Sequence, residues 1–137
     1  MMINAYNSAT QTVAVGSAYV FDTNRIVTGC TVGHTPGTTT FTLTKPGYYY
    51  VTFNTTFTTA TTGDATVELR NGGTAVPGAN GTETITTAGD TKSIAFATII
   101  KVLPSCCAID NTATLTFVAT SLELDSTTAA VNITKLC

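Results

Sequence analysis

From Lys45 to Phe57 the chain runs Lys45-Pro46-Gly47-Tyr48-Tyr49-Tyr50-Val51-Thr52-Phe53-Asn54-Thr55-Thr56-Phe57, and this stretch narrows the choice of fold more than any other. Pro46-Gly47 is a turn signal, because proline presets φ and glycine enters backbone regions that other residues resist. The residues behind it are aromatic, β-branched or threonine, the types that pack well on a pleated surface. Side chains of a strand point alternately to its two faces. Tyr49, Val51, Phe53, Thr55 and Phe57 therefore share a face that should be core, and Tyr48, Tyr50, Thr52 and Asn54 share the other. Two tyrosines on a face that merely meets water are unexpected. Tyrosine is enriched at interfaces, where the ring packs and the hydroxyl finds a partner, so Tyr48, Tyr50 and Thr52 are the candidate contact between copies of the chain.

No segment places apolar residues at i, i+3, i+4 and i+7, the helical spacing. Short strand-like runs between Gly, Pro, Asn and Asp remain, the pattern of a sandwich or barrel. The 137 residues suffice for one domain with one real core. Charged residues are only 10% of the chain, well below the usual quarter or so, and threonine fills the polar positions. A surface so poor in charge repels its neighbours weakly, which suits a protein that works in an assembly. The net charge of −2, with six scattered Lys and Arg, provides no electrostatic footprint for nucleic acid. No stretch approaches the roughly 18 apolar residues that would cross a bilayer as a helix. The start, Met1 to Ser8, has neither a basic nor an apolar leader region, so the expectation is a protein made and used without secretion.

In chain order, residues 3–10 are polar and lack a clear period, and are expected to form an irregular arm. The domain division is then an arm over 1–11 and a β domain over 12–137. Thr12 to Phe21 reads as a strand with Val13 and Val15 on one face, and Arg25 to Cys30 as a second. Gly33 to Gly37 is a loop. Thr38 to Thr44 alternates, with Phe41 and Leu43 inward. Ala65 to Arg70 points Val67 and Leu69 in, and Asn71-Gly72-Gly73 is a hairpin turn. Pro77 to Gly81 reads as a loop before a short strand over Thr82 to Thr87. Thr91 to Leu103 is apolar on both parities, with Ile94, Phe96, Ile100 and Val102 on one side and Ala95, Ala97, Ile99 and Leu103 on the other. A strand apolar on both sides is covered on both sides, and in a two-sheet sandwich only one side meets the core. A second body must cover the other. Thr112 to Leu124 and Thr128 to Leu136 close the chain. The expected architecture is all-β, an antiparallel two-sheet jelly-roll sandwich of about nine to ten strands.

The motif order resembles the trimeric jelly-roll superfamily of tumour necrosis factor and the complement globular heads. The resemblance rests on Phe41-x-Leu43 followed by Pro46-Gly47-Tyr48-Tyr49-Tyr50-Val51, then Val67-Glu68-Leu69-Arg70-Asn71-Gly72, and the closing Ala130 to Leu136. It spans residues 12–136 and is strongest at the Pro-Gly-Tyr strand. The threonine-rich, charge-poor style is more similar to bacterial and phage members than to animal cytokines. The family's Gly-Asp turn before the penultimate strand is missing; that region reads Pro104-Ser105-Cys106-Cys107-Ala108-Ile109-Asp110. The resemblance implies a homotrimer whose axis-facing sheet includes Tyr50 and Thr52.

Chemistry-bearing residues are few. His34, the one histidine, stands in a Gly-rich loop without a nucleophile or carboxylate nearby in sequence, and the expectation is a solvated loop residue rather than a base or metal ligand. Cys30, Cys106, Cys107 and Cys137 allow three disulfide pairings. Adjacent cysteines rarely join each other, and the spacings do not suit zinc. Free thiols acting as small hydrophobes are the default here, the alternative being disulfides, including one between subunits through Cys137. Asp22, Asp64, Asp90, Asp110 and Asp125 sit at expected corners, where aspartate caps turns, without the density that would recommend calcium. No enzymatic constellation and no cofactor are expected.

These readings favour a phage virion structural protein, a trimeric capsid decoration protein or short head fibre on the capsid exterior, made in the bacterial cytoplasm. Its attachment to the major capsid protein is expected through the arm, at Ile3, Asn4, Ala5, Tyr6 and Asn7. The alternative is the tip of a fibre or spore filament that recognises a receptor or surface glycan. No collagen-like or coiled-coil stalk is present to carry such a tip.

Overall fold

The computed structural model describes residues 1–103 and 112–136. Among them there is no helix. The strands, in chain order, are β1 (Met2–Asn7), β2 (Gln11–Val13), β3 (Thr23–Thr28), β4 (Val32–Gly33), β5 (Phe41–Leu43), β6 (Gly47–Thr58), β7 (Gly63–Asn71), β8 (Thr74–Ile85), β9 (Lys92–Val102), β10 (Ala113–Ala119) and β11 (Leu124–Lys135). They form two antiparallel sheets. Sheet one has the order β3-β1-β11-β6-β9, with β2 also on β11; sheet two has the order β4-β5-β10-β7-β8. From β5 onward the chain keeps crossing between the sheets, and only the hairpin β7–β8 stays in one. That is the expected jelly-roll sandwich.

The long strand β6 alternates as its sequence dictates. Tyr49, Val51, Phe53, Thr55 and Phe57 are buried, whereas Tyr48, Tyr50 and Asn54 are exposed. Phe41 and Leu43 of β5 and Val67 and Leu69 of β7 point inward as expected. Rings hold the sheets together. Phe53 of sheet one stacks on Phe117 of sheet two, with centroids 4.8 Å apart, and Phe21 meets both Phe41 and Phe117 edge-on. The buried polar groups are satisfied locally. The Thr55 hydroxyl donates toward the Tyr19 hydroxyl at 3.3 Å and lies 3.0 Å from Ser126 Oγ. Burial pushes the Tyr19 phenol up to about 12, against the lowering effect of its contacts with Thr55 and Ser126.

Several sequence expectations are corrected. Residues 3–7 are not a free arm. They belong to β1, which lies inside sheet one between β3 and β11, Ile3 opposite Ile133 and Ala5 opposite Val131. Ile3, Ala5 and Asn7 are buried, and only Asn4 and Tyr6 point outward. The inward set contains one large apolar residue, an alanine and an asparagine, too weak an alternation to read without its partners. The domain therefore includes the segment assigned to an arm. Thr12 to Phe21 is not one strand either: after β2 the chain turns at Gly16, where φ is +83°, and Val15 is left exposed. Residues 18 and 21 then make single bridges to Val118 and Thr38. Pro77 to Gly81 lies within β8, whose pairing with β7 shifts register between Glu68 and Arg70 and absorbs the irregular residues. Asp125 lies in β11 and not at a corner.

Candidate self-association face

The outward side of sheet one is built in rows, one residue from each strand. At one end Met2, Thr134, Tyr50 and Ile99 stand side by side on β1, β11, β6 and β9. Tyr48 pairs with Lys101 in the next row, and the Lys101 ammonium sits 5.7 Å from the centre of its ring. Leu136 donates its backbone N–H to the Tyr48 carbonyl, which brings an exposed leucine to the same corner. Tyr48 and Tyr50 are each 43% exposed and Ile99 is 56% exposed. A shallow hollow of about 380 Å³ between Pro46, Gly47, Tyr48 and Lys101 to Leu103 borders them. The outcome is an apolar, aromatic patch, the kind of surface that marks contact with another body.

The next row is polar and internally bonded. Arg25 of β3 donates from Nε to Asn4 Oδ1 at 2.8 Å. Asn4 Nδ2 donates to Asn132 Oδ1, and Asn132 Nδ2 to Thr52 Oγ1 at 3.2 Å. Four strands are thus linked across the middle of the face by bonds that all point one way, and the Thr52 hydroxyl hydrogen is left at the end. Beyond the ladder come Tyr6, Ala130, Asn54 and Ala95, then Thr128, Thr56 and Ser93. The face therefore grades from apolar to hydroxylated.

The structure brings Tyr48, Tyr50 and Thr52 together on this face, with Asn4 and Tyr6 on the same side. Met2, Leu136 and the Arg25–Asn4–Asn132–Thr52 ladder were missed from sequence. Asn4 and Asn132 lie far apart in the chain, and only the register of β1 on β11 makes them neighbours. Cys30 is exposed and has no disulfide partner among the described residues, whereas Cys106, Cys107, Asp110 and Cys137 lie outside them.

His34 is not the freely solvated residue expected of its loop. Its ring stacks on Phe41 at 4.3 Å and meets Phe21 edge-on. Nδ1 is 2.5 Å from Asn24 Oδ1, and Nε2 is 3.0 Å from the Thr38 carbonyl. The Asn24 amide nitrogen in turn donates to the His34 carbonyl at 2.6 Å. Burial lowers the pKa of His34 more than the Thr38 carbonyl raises it. Neither partner is a carboxylate or a nucleophile, so the ring is not set up as a catalytic base. Among the described residues no three His, Cys, Asp or Glu side chains gather to hold a metal.

No protein-family model matches the sequence, and no curated protein matches it. Solved structures do. The chain is similar to Eiger TNF from S. frugiperda, with a TM-score of 0.75 at 11% identity over 99% of this chain and 93% of that one. It is also similar to murine APRIL, with a TM-score of 0.62 at 9% identity over 99% and 100%. PRD1 vertex protein P5 aligns over 99% and 96% with a TM-score of 0.54 at 14% identity. The architecture is thus that of a TNF-like jelly roll.

Proposed function

We propose that this chain is a non-enzymatic structural protein of a phage virion, which associates as a homotrimer through the outer face of sheet one and sits on the capsid exterior as a decoration protein or short head fibre. The observation that carries the reading is the contiguous patch of Tyr48, Tyr50, Ile99, Met2 and Leu136, exposed in the single chain. Half-exposed tyrosines and aliphatics on β1, β6 and β9, with Leu136 just past β11, bury well against a second copy and gain nothing from water. The likeness to PRD1 vertex protein P5 supports the virion setting, and the likeness to Eiger TNF and APRIL supports the trimeric one. The partner on the particle is the major capsid protein. Of the anchoring residues only Asn4 and Tyr6 face outward, so the proposed attachment falls to them, whereas Ile3, Ala5 and Asn7 are buried where β1 pairs with both β3 and β11.

Native mass spectrometry of the full chain at micromolar concentration tests the association, with a three-chain species expected. A stable single chain under those conditions would overturn the reading. For the virion setting, an antibody against the chain should decorate purified particles from the outside; label confined to host cells would refute it.

A further inference from the structure

We propose that the groove at the free edge of sheet two, around Gly33, His34 and Thr42, binds a neutral saccharide. This adds a ligand to the assembly and does not depend on how the subunits associate. The groove has a volume of about 510 Å³ and is lined by Gly33, His34, Thr35, Thr38, Thr40 and Thr42. Ligand sites of small molecules fall in this size range, roughly 300–1,000 Å³, and the space suits a mono- or disaccharide.

Its chemistry is selective. None of the lining residues carries a carboxylate, lysine or arginine, so nothing favours an anion or a cation. Four threonines offer hydroxyls beside methyl groups, the same alternation of O–H and C–H that a sugar ring presents. The Thr35 and Thr42 hydroxyls have no protein partner among the described residues, whereas the Thr38 hydroxyl donates to the Thr35 carbonyl at 2.7 Å. His34 has one ring face on Phe41, and its nitrogens face two acceptors, Asn24 Oδ1 and the Thr38 carbonyl, of which the single N–H of a neutral ring can serve one. As a lining residue held on Phe41, its ring adds an aromatic surface to the groove for the C–H side of a pyranose.

The groove is also held in shape before any ligand arrives. Gly37 donates its N–H to the Phe21 carbonyl at 2.9 Å, Phe21 to the Thr38 carbonyl at 3.3 Å, and Thr38 to the Thr35 carbonyl at 3.1 Å. Such preorganisation reduces the ordering cost of binding. Gly33 leaves the floor open: a Cβ there would meet only the Thr42 carbonyl, at 3.9 Å, and its φ is not in the left-handed region. The site lies on sheet two, so an assembly that covers the outer face of sheet one leaves it accessible.

The test is a titration of the full chain at neutral pH with methyl glucoside, methyl galactoside and N-acetylglucosamine, followed by amide and imidazole NMR shifts. Glycerol and glucuronate serve as controls. Saturable shifts at Gly33, Thr42 and the His34 ring with at least one neutral sugar are expected. Thr42→Val, which keeps the shape and removes one hydroxyl, should weaken binding by about fivefold. Gly33→Val should abolish it while the rest of the spectrum stays in place; if that variant misfolds, Thr42→Val decides. No saturable shift with any neutral sugar, a response that glycerol or glucuronate alone reproduces, or binding unchanged in Thr42→Val would overturn the proposal. The native mass is not involved, so failure here is distinct from failure of the trimer.

Discussion

The two outer faces of the sandwich are made from the same strand chemistry and end differently. On sheet two the outward side chains answer one another: Thr66 and Thr82 hydroxyls lie 2.9 Å apart, Thr84 donates to Asp64, and Arg70 pairs with Glu68 at 3.2 Å. Its one large apolar outward residue on β10, Val118, is buried. On sheet one the self-answering row is confined to Arg25, Asn4, Asn132 and Thr52, and next to it Tyr48, Tyr50 and Ile99 are left uncovered. Among the described residues no buried side-chain polar atom lacks a partner. The difference lies in apolar area: sheet one leaves its aromatic patch uncovered, and the proposed self-association rests on that contrast.

The largest effect should come from removing what both faces depend on. Phe53→Ala takes away a ring packed on Phe117 and Tyr19 and should lower the stability of the fold by about 3–5 kcal/mol, read by urea denaturation. A smaller loss would mean that the sheets are not held together by this ring cluster. Next comes a matched pair of charges. Tyr50→Asp should weaken subunit association by about 2–4 kcal/mol, whereas Thr116→Asp on sheet two should leave the native mass unchanged. Equal effects from both would erase the contrast between the faces.

The ladder is a finer probe. Asn132→Ala cuts it in the middle and strands Asn4 and Thr52, at a cost of about 1 kcal/mol, measured by thermal unfolding across a concentration series. If the cost grows with protein concentration, the ladder belongs to the contact; if it does not, it serves the sheet alone. The smallest effect is at His34. Burial holds its folded pKa below the ordinary histidine value of about 6.5, so the unfolded chain binds the proton more readily. The stability it contributes is complete above about pH 6.5 and declines as pH falls through the folded value. Unfolding temperatures of the parent and His34→Gln should diverge least in acid; a parent insensitive to pH in that range would show the ring to be better solvated than its stacking on Phe41 indicates.

Much of this was legible in the chain. The alternation of β6 needed only side-chain chemistry and the two-residue period, and Phe41, Leu43, Val67 and Leu69 fell inward as read. The apolar outer parity expected of β9 shows as the exposure of Ile99 and, just past the strand, of Leu103 in the single chain, and the second body that would cover them belongs to the proposal. β1 was illegible because Ala5 and Asn7 are buried without being hydrophobic enough to announce it. The continuity of β8 was hidden by Pro77 and Gly78, whose turn chemistry is absorbed as an irregularity in the pairing. His34 was misread because Asn24, Phe21 and Phe41 surround it only after three segments meet.

Residue types and their spacing were enough to set which segments become strands and which side of β6 turns away from water, because these depend on neighbours one or two positions away. Strand partners, the ladder over four strands and the groove beside His34 were decided by the tertiary structure alone. Register is a relation between distant segments, and the free energy that selects it comes from burying Ile3, Ala5, Val131 and Ile133 together, a sum that no local stretch contains.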